Sequence, residues 1–276
     1  RYSLTFMDEA NTGGNGPTHI TVDATGNTIA VANYGDGSIS TISLSKTGSP
    51  IGTTSLVFNE GTGPNKERQN GPHAHGVYFD KANKHLFVPD LGLDKVLIYP
   101  FDAVTSKLGE QLPPLQTAPG AGPRHMTFSS DEKFAYVINE LDSTLLTASH
   151  AAGDGKLTIL SNNPTLPADF IGKNSTAEVE IHPNGNFIYA SNRGHESIVV
   201  FKRDPETGLL TFLQHAPCGG QHPRHFKIDP SGKWLLCGNQ DSHTITILAL
   251  DPATGLLGPP SNSIVCPSPS CILFAR

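Results

Sequence analysis

The sequence predicts an all-β fold, specifically a β-propeller built from four-stranded blades. Its 276 residues include 28 Gly and 22 Pro and only 16% charged residues, a balance that favours short strands and tight turns over long helices. A pattern of about 50 residues also recurs along the chain, as it does in propellers, where each copy is one blade. We therefore expect one propeller domain over residues 1–276.

Each repeat contains a turn, a short strand, a polar turn, a second strand that ends in Asn or Asp, and a third strand. Five full copies read GPTHITVDATGNTIAVANYGDGSISTISL, PHAHGVYFDKANKHLFVPDLGLDKVLIYPF, GPRHMTFSSDEKFAYVINELDSTLLTAS, TAEVEIHPNGNFIYASNRGHESIVVFKR and HPRHFKIDPSGKWLLCGNQDSHTITILAL. The residues that end the second strands are separated by 57, 49, 53 and 47 positions: Asn33, Asp90, Asn139, Asn192 and Asn239. A fourth strand, such as LLTFLQHA at 209–216, completes each blade.

Two columns of the repeat are interpreted as structural. The strand-ending Asn and Asp side chains are expected to bond the adjacent turn. The column that contains His19, His125 and His225 is expected to pack between blades. The polar segments DATGN, DKANK, SSDEK, HPNGN and DPSGK have the composition of hairpin turns between the first two strands.

Both ends of the chain carry parts of a repeat. SPSCILF at the C-terminus is expected to be a single strand of a further copy, and RYSLTF at the start an outer strand. Five full repeats plus a terminal strand lead us to expect that about two N-terminal blades, roughly 80 to 100 residues, are absent from this chain.

Charge and hydropathy exclude several classes of partner. A net charge of −6 and a pI near 6.0 provide no field that would attract nucleic acid, and no apolar run approaches the length of a membrane span. The cytoplasm is the expected compartment. Secretion is the alternative, because Asn174-Ser175-Thr176 is a glycosylation sequon. The oligomeric state is left open.

The four cysteines lie in the last quarter of the chain without CxxC spacing, so no zinc site is expected. They fit either two disulfides or four buried thiols: Cys218, Cys237, Cys266 and Cys271. A GxSxG elbow and an HExxH pair are missing from the sequence, so serine-hydrolase and zinc-peptidase chemistry have no support. No cofactor is expected.

The repeat also places polar residues together. In an up-and-down blade, the first strand begins where the second strand ends, so residues separated by these two strands become neighbours. Because the first strand lines the central channel, five pairs that are 16 residues apart are expected at its mouth: Thr18 and Tyr34, His75 and Leu91, Arg124 and Glu140, Ala177 and Arg193, Arg224 and Gln240. Three converging arginines favour a small anionic ligand and disfavour calcium.

Glu140 beside Arg124 is a candidate acid/base carboxylate that the guanidinium should keep ionised. His75 is a second candidate for proton transfer, whereas His73 is interpreted mainly as a turn residue and otherwise as a substrate contact. The alternative for Arg124 and Glu140 is an internal salt bridge that joins two strands.

Further candidates for substrate binding have structural alternatives too. Arg224 and Gln240 either contact substrate or bond the backbone of the channel wall. Glu178 lies in the histidine column and either contacts substrate or pairs with Arg193 or Arg224.

Several phrases together resemble the seven-bladed propeller lactonase family, which includes bacterial 6-phosphogluconolactonases and the fungal 3-carboxy-cis,cis-muconate cyclase. They are GPTHI, VANYGDGS, GPHAHGV, VPDLGLDKV, GAGPRHMTFSSDEKFAYVINELDST, ASNRGHESI, PRHFKIDPSGKWLLCGNQDS and PSPSCILF. The resemblance implies metal-independent catalysis at the channel mouth by His75, Arg124, Glu140 and Arg193, with Arg224 as a further anion contact. The five repeats depart from the seven blades of the family.

Three functions are compatible with these residues. The leading hypothesis is hydrolysis of an anionic sugar lactone such as 6-phosphogluconolactone. A muconate-type cyclase uses the same charges, but its Glu140 or His75 would supply a proton to carbon. A propeller that only binds a partner is the third hypothesis, and the retained set of candidate catalytic residues argues against it.

Overall fold

The computed structural model describes residues 4–274, and every regular element in this range is a β-strand. The chain divides into two compact units. Unit one comprises the described residues up to 122 together with 152–156, and unit two comprises 123–151 and the described residues from 157 onward. No helix that could cross a membrane occurs between residues 4 and 274. The expected all-β composition is confirmed.

Unit one contains two antiparallel sheets. The first is formed in chain order by β1 (Pro17–Val22), β2 (Thr28–Asn33), β3 (Ile39–Leu44) and β4 (Pro50–Val57). The second contains β5 (Tyr78–Phe79), β6 (His85–Asp90), β7 (Lys95–Asp102), β8 (Lys107–Leu108) and β9 (Leu112–Gln116), with β9 paired to β7. The second repeat therefore has five strands, and its first strand is only two residues long.

Unit two contains three four-stranded antiparallel sheets, each in chain order. The first has β10 (Pro123–Phe128), β11 (Phe134–Asn139), β12 (Thr144–Ala151) and β13 (Lys156–Pro164). The second has β14 (Ser175–Ile181), β15 (Phe187–Arg193), β16 (Ser197–Arg203) and β17 (Leu210–Pro217). The third has β18 (Pro223–Ile228), β19 (Trp234–Asn239), β20 (Thr244–Leu250) and β21 (Leu257–Val265).

Apolar side chains of neighbouring sheets pack face to face within each unit. In unit two, Tyr136, Ile188 and Phe201 belong to one buried cluster, and Phe226 and Leu235 belong to another. Strands with few polar side chains can be buried on both faces in this way. The continuous apolar strands of the sequence therefore mark the interior of each stack of sheets.

Polar turns close the first hairpin of each repeat, as the sequence predicts. Asp23 Oδ1 accepts hydrogen bonds from the backbone N–H groups of Asn27 and Thr28 at 3.0 and 2.8 Å. Asp229 Oδ1 accepts two equivalent bonds, both of 2.9 Å, from Lys233 and Trp234. A side-chain acceptor at the start of the turn fixes the hairpin and its register.

The strand-ending Asn column is structural. The Asn33 and Asn192 amides donate to the hydroxyls of Ser38 and Ser197, at 3.1 and 3.3 Å. Asn139 and Asn239 likewise donate to threonine hydroxyls of the following strand. Each amide therefore ties the end of one strand to its successor.

Asp90 replaces Asn in this column and is fully buried. Its Oδ1 accepts the backbone N–H groups of His73, Gly92 and Leu93 at 2.8, 3.0 and 3.0 Å. Its Oδ2 has no hydrogen-bond partner within the part of the chain that the structure describes. Burial raises the pKa of Asp90 to about 6, against the effect of the three N–H donors.

The predicted terminal strand is not formed. Residues 266–274 contain no strand, although the Ile272 N–H donates to His225 Nδ1 at 3.2 Å. Within residues 4–274, SPSCILF pairs with no strand, and an isolated strand would leave its backbone groups unpaired. At the other end, residues 4–6 of RYSLTF form no strand, and residues 1–3 lie outside the described range.

The sequon asparagine and the cysteines also have defined surroundings. The Asn174 amide donates to Ser143 Oγ and Asn192 Oδ1 at 2.9 and 3.2 Å, and its carbonyl accepts the His195 N–H. All four cysteines are free thiols. Cys218 and Cys237 are buried, but Cys266 is partly exposed and Cys271 exposed. Neither two disulfides nor four buried thiols describes this arrangement.

Asp90→Asn is expected to stabilise the protein at pH 8, by up to about 3 kcal/mol. The folded-state pKa of this carboxyl is raised. The contribution of Asp90 to protein stability is therefore complete below the pKa of an unfolded aspartate and is lost as the pH rises to about 6. The advantage of the variant should therefore disappear near pH 4. Urea unfolding at pH 4, 6 and 8 measures it, with the exposed Asp169→Asn as control. An equal gain at all three pH values would contradict this account.

Candidate active site

β-Bulges at the start of β10 and β18 direct two of the predicted arginines. Pro123 pairs with Asn139 and His125 pairs with Ile138, so Arg124 is the extra residue. The register of β18 and β19 shifts in the same way at Arg224. Because a bulge bends its strand and re-aims a side chain, it separates these arginines from the regular alternation of the sheet.

Arg124, Glu140 and Arg193 form a buried group that we call the Arg–Glu cluster. Arg124 Nε lies 3.1 Å and Arg193 Nη2 3.0 Å from the same carboxylate oxygen, Glu140 Oε2. The two guanidinium groups also donate to β14, to the carbonyls of Ala177 and Thr176, each at 2.6 Å. The structure thus brings together Arg124 and Glu140, as their 16-residue spacing predicts, and adds Arg193 from the neighbouring sheet.

Charge is unbalanced around this cluster. Burial lowers the pKa of Arg124 to about 10, helped by the charges of Arg193 and Arg224 and opposed by Glu140 and Glu178. Arg124 is still protonated at neutral pH, and Arg224 is close enough to repel it. Among the charges that act on Arg124, itself included, three guanidinium groups stand against two carboxylates, which is an excess of one positive charge. Such a surplus is suited to an anionic ligand.

Gln240 lies near this arrangement, at the end of β19. Its backbone N–H donates to the His222 carbonyl at 3.0 Å, which joins the start of β18 to the end of β19. Its Oε1 atom is buried and has no hydrogen-bond partner among residues 4–274. Arg224 and Gln240 thus occupy the predicted paired positions, and their role toward substrate stays a prediction.

Glu178 has different partners from those expected. Its Oε2 lies 3.0 Å from His125 Nδ1 and 3.2 Å from His225 Nε2. We call these three residues the His–Glu–His group. Burial acts to raise the pKa of Glu178, but His125, His225 and Arg124 outweigh it and hold that pKa below the usual range. The carboxylate is therefore an internal counter-ion that links β10, β14 and β18.

The His–Glu–His group is joined to the Arg–Glu cluster through His125. Arg124 Nη1 lies 3.3 Å from both ring nitrogens of His125, so the guanidinium rests against the imidazole. His225 Nδ1 accepts the Ile272 N–H, which leaves the proton of a neutral ring on Nε2, toward Glu178. Burial is the main cause that lowers the pKa of His225.

His75 and His73 lie in unit one. His75 is buried, its N–H donates to the Pro89 carbonyl at 2.9 Å, and its ring meets the edge of Tyr34 at 5.3 Å. His73 stacks on Tyr34 at 4.6 Å, and its ring nitrogens contact Tyr34 O and Asn70 Oδ1. These contacts agree with the interpretation of His73 as a turn residue.

Sequence reasoning missed His222 and Asp241. His222 Nε2 lies 3.5 Å from Arg193 Nη1, and Asp241 Oδ2 lies 3.4 Å from His222 Nδ1. A signal was present, because His222 and His73 occupy one column of the repeat and both accept a backbone hydrogen bond from the residue that follows the second strand. In the first repeat this position is Gly16.

Comparisons with known proteins agree with this architecture. The family described as "Lactonase, 7-bladed beta-propeller" matches residues 1–274. The chain is 32% identical to the 6-phosphogluconolactonase of Bacillus subtilis, covering 81% of this chain and 63% of that protein. It is 35% identical to the 6-phosphogluconolactonase of Formosa agariphila, covering 81% and 64%. The periplasmic gluconolactonase of Pseudomonas aeruginosa superposes with a TM-score of 0.90 at 31% identity, over 98% of this chain and 76% of that one.

The repeated antiparallel sheets and these likenesses define a protein of the β-propeller class. The chain belongs to the seven-bladed β-propeller lactonase family. It spans a little over three fifths of the length of the curated relatives that it matches. The expectation of a single domain with about two missing blades stays a prediction.

Glu178→Gln is expected to destabilise the protein at pH 7 by about 3 kcal/mol, because it removes the buried charge that compensates the Arg–Glu cluster. The folded-state pKa of Glu178 is lowered. Its contribution to protein stability is therefore complete above the pKa of an unfolded glutamate and is lost as the pH falls from there toward the folded-state pKa. The loss should thus shrink in acid. Urea unfolding at pH 7 and pH 3 tests this, with the exposed Glu206→Gln as control. A variant as stable as the native protein at pH 7 would refute it.

Proposed function

We propose that this chain hydrolyses an anionic sugar lactone such as 6-phosphogluconolactone. The observation that carries the proposal is the Arg–Glu cluster, in which two buried guanidinium groups meet one carboxylate oxygen. The excess positive charge fits an anionic substrate. Relatives that are named 6-phosphogluconolactonase support the choice of the lactone, as does the similarity to a gluconolactonase structure.

The reaction requires water to attack the lactone carbonyl carbon. The carbonyl oxygen then carries negative charge, the ring C–O bond breaks, and the proton taken from water is passed to the leaving ring oxygen to give the open hydroxy acid. We assign stabilisation of this oxyanion to Arg124, whose buried charge is fixed before substrate binds. Arg193 and Arg224 would hold the phosphate or carboxylate group. Under this proposal, guanidinium groups supply the positive charge and no metal is required.

Glu140 and His75 are the candidates that accept the proton from water. Both ion pairs of Glu140 would have to weaken before its carboxylate became basic, since Arg124 and Arg193 contact the same oxygen. This favours an orienting role for Glu140. His75, which lies in unit one, stays the other candidate that the sequence predicts for this step.

Arg124→Ala is expected to lower kcat/KM for 6-phosphogluconolactone by about 100- to 1,000-fold, the usual effect of removing one oxyanion donor. Arg124→Lys should restore only part of this loss, since an ammonium group cannot reproduce the planar fork of the guanidinium. Initial rates corrected for spontaneous hydrolysis provide the measurement. Lys202→Ala, at an exposed position of β16, is the control. Unchanged kcat/KM in Arg124→Ala would refute the assignment.

A parallel assay with a carboxymuconolactone separates hydrolysis of sugar lactones from cyclase chemistry. Turnover of only the carboxymuconolactone would replace the proposed substrate. Failure to turn over either compound, together with tight binding of a protein partner, would favour the non-catalytic alternative. Glu140→Gln belongs in the same series, because substantial residual activity would exclude its carboxylate as an essential acid or base.

A further inference from the structure

The backbone of His222 is held in an unusual conformation at the edge of the Arg–Glu cluster. Its φ of +60° lies in the left-handed region, which costs free energy for residues other than glycine. The His222 N–H donates to Glu196 Oε2 at 2.6 Å, and its carbonyl accepts the Gln240 N–H at 3.0 Å. These two bonds fix the backbone of His222, which precedes the bulged Arg224 by two residues.

The side chain of His222 connects the cluster to solvent. Nδ1 lies 3.4 Å from Asp241 Oδ2, and Nε2 lies 3.5 Å from Arg193 Nη1. About a third of the side chain (32%) is exposed, whereas the Arg193 side chain is 6% exposed. His222 is therefore the more exposed side chain of this contact.

We propose that His222 is a titratable third cation of the anion-binding site formed with Arg193 and Arg224. It becomes protonated when a dianionic group such as a phosphate ester binds, and it thereby sets a preference for phosphorylated over uncharged lactones. This inference rests on the proposed function and assigns a substrate class to it.

The surrounding charges support this role. Burial lowers the pKa of His222, as do the charges of Arg193 and Arg224, while Asp241 and Glu196 oppose the shift. The ring is therefore mainly neutral at pH 7 when no anion is bound. A dianion between the guanidinium groups would cancel their repulsion, so the imidazole would take up a proton on binding.

The sign of the pH dependence follows from this linkage. If anion binding raises the pKa of His222, the protonated protein binds more tightly, and affinity falls as the pH rises. For each unit by which the anion raises that pKa, the protein with protonated His222 binds the anion ten times more tightly than the protein with neutral His222. Uncharged lactones, which do not neutralise the arginines, should lack this dependence.

Sulfate is the probe, because it stays a dianion between pH 6 and 8, whereas phosphate changes its protonation state in this range. Calorimetry in two buffers of different ionisation enthalpy gives the number of protons taken up. We expect uptake of up to about one proton at pH 7, and affinity about tenfold tighter at pH 6 than at pH 8.

Two variants isolate the imidazole. His222→Asn keeps a residue that tolerates positive φ, and it should abolish proton uptake and flatten the pH dependence. His243→Asn is the matched control, because His243 also has positive φ (+55°), in the turn between β19 and β20 of the same repeat, but its Nδ1 accepts the Ser268 N–H. Asp241→Asn retains the imidazole without its carboxylate partner, so it should move the pH dependence to lower pH.

Steady-state kinetics distinguish failure of this inference from failure of the proposed function. His222→Asn should raise KM for 6-phosphogluconolactone about tenfold at pH 6, with little change for uncharged gluconolactone. No sulfate binding, or proton uptake that persists in His222→Asn, would overturn the inference even if the native chain hydrolyses lactones. Proton-linked sulfate binding without lactone turnover would support the His222 site and overturn the proposed hydrolysis.

Discussion

One carboxylate oxygen, Glu140 Oε2, organises the polar part of unit two. It accepts the guanidinium groups of Arg124 and Arg193, which reach it from two sheets and also bond the carbonyls of β14. Charges in a buried environment are stable only when they are paired and hydrogen-bonded. Glu140 therefore supplies the negative charge that allows Arg124 and Arg193 to be buried together.

A second buried carboxylate extends this arrangement. Glu178 bonds His125 and His225, and His125 lies against Arg124, so the charge network continues across three first strands of successive sheets. The network stabilises the buried charges and also fixes the positions of the arginine side chains. Arg124 and Arg193 have fixed partners in this network, so under the proposed hydrolysis they would need little reorganisation, which is how preorganised electrostatic stabilisation acts.

The order of the strands and the Arg124–Glu140 pair could be predicted from the sequence. The repeat fixes strand order and turn position, and the 16-residue spacing therefore identifies Arg124 and Glu140 as neighbours. Partners between different sheets are not encoded in that spacing. The sequence therefore predicts either a substrate contact or an arginine partner for Glu178, and it does not predict the two histidines that the structure shows. The position of His222 depends on its positive φ and on contacts from Glu196 and Asp241, which the spacing does not reveal. The terminal SPSCILF has the composition of a strand, but it forms none, because a strand requires a neighbouring strand to pair with and local sequence does not show whether one is present.

The surroundings of Asn174 have a consequence for covalent modification. An oligosaccharide would be attached to the amide nitrogen that donates to Ser143 and Asn192. A sugar on that atom would replace at least one of these bonds and displace the neighbouring chain, so the folded protein shields its own acceptor. The sequon is thus open to a glycosyltransferase before this sheet forms, and the modified chain would lose at least one of the hydrogen bonds from Asn174 to Ser143 and Asn192.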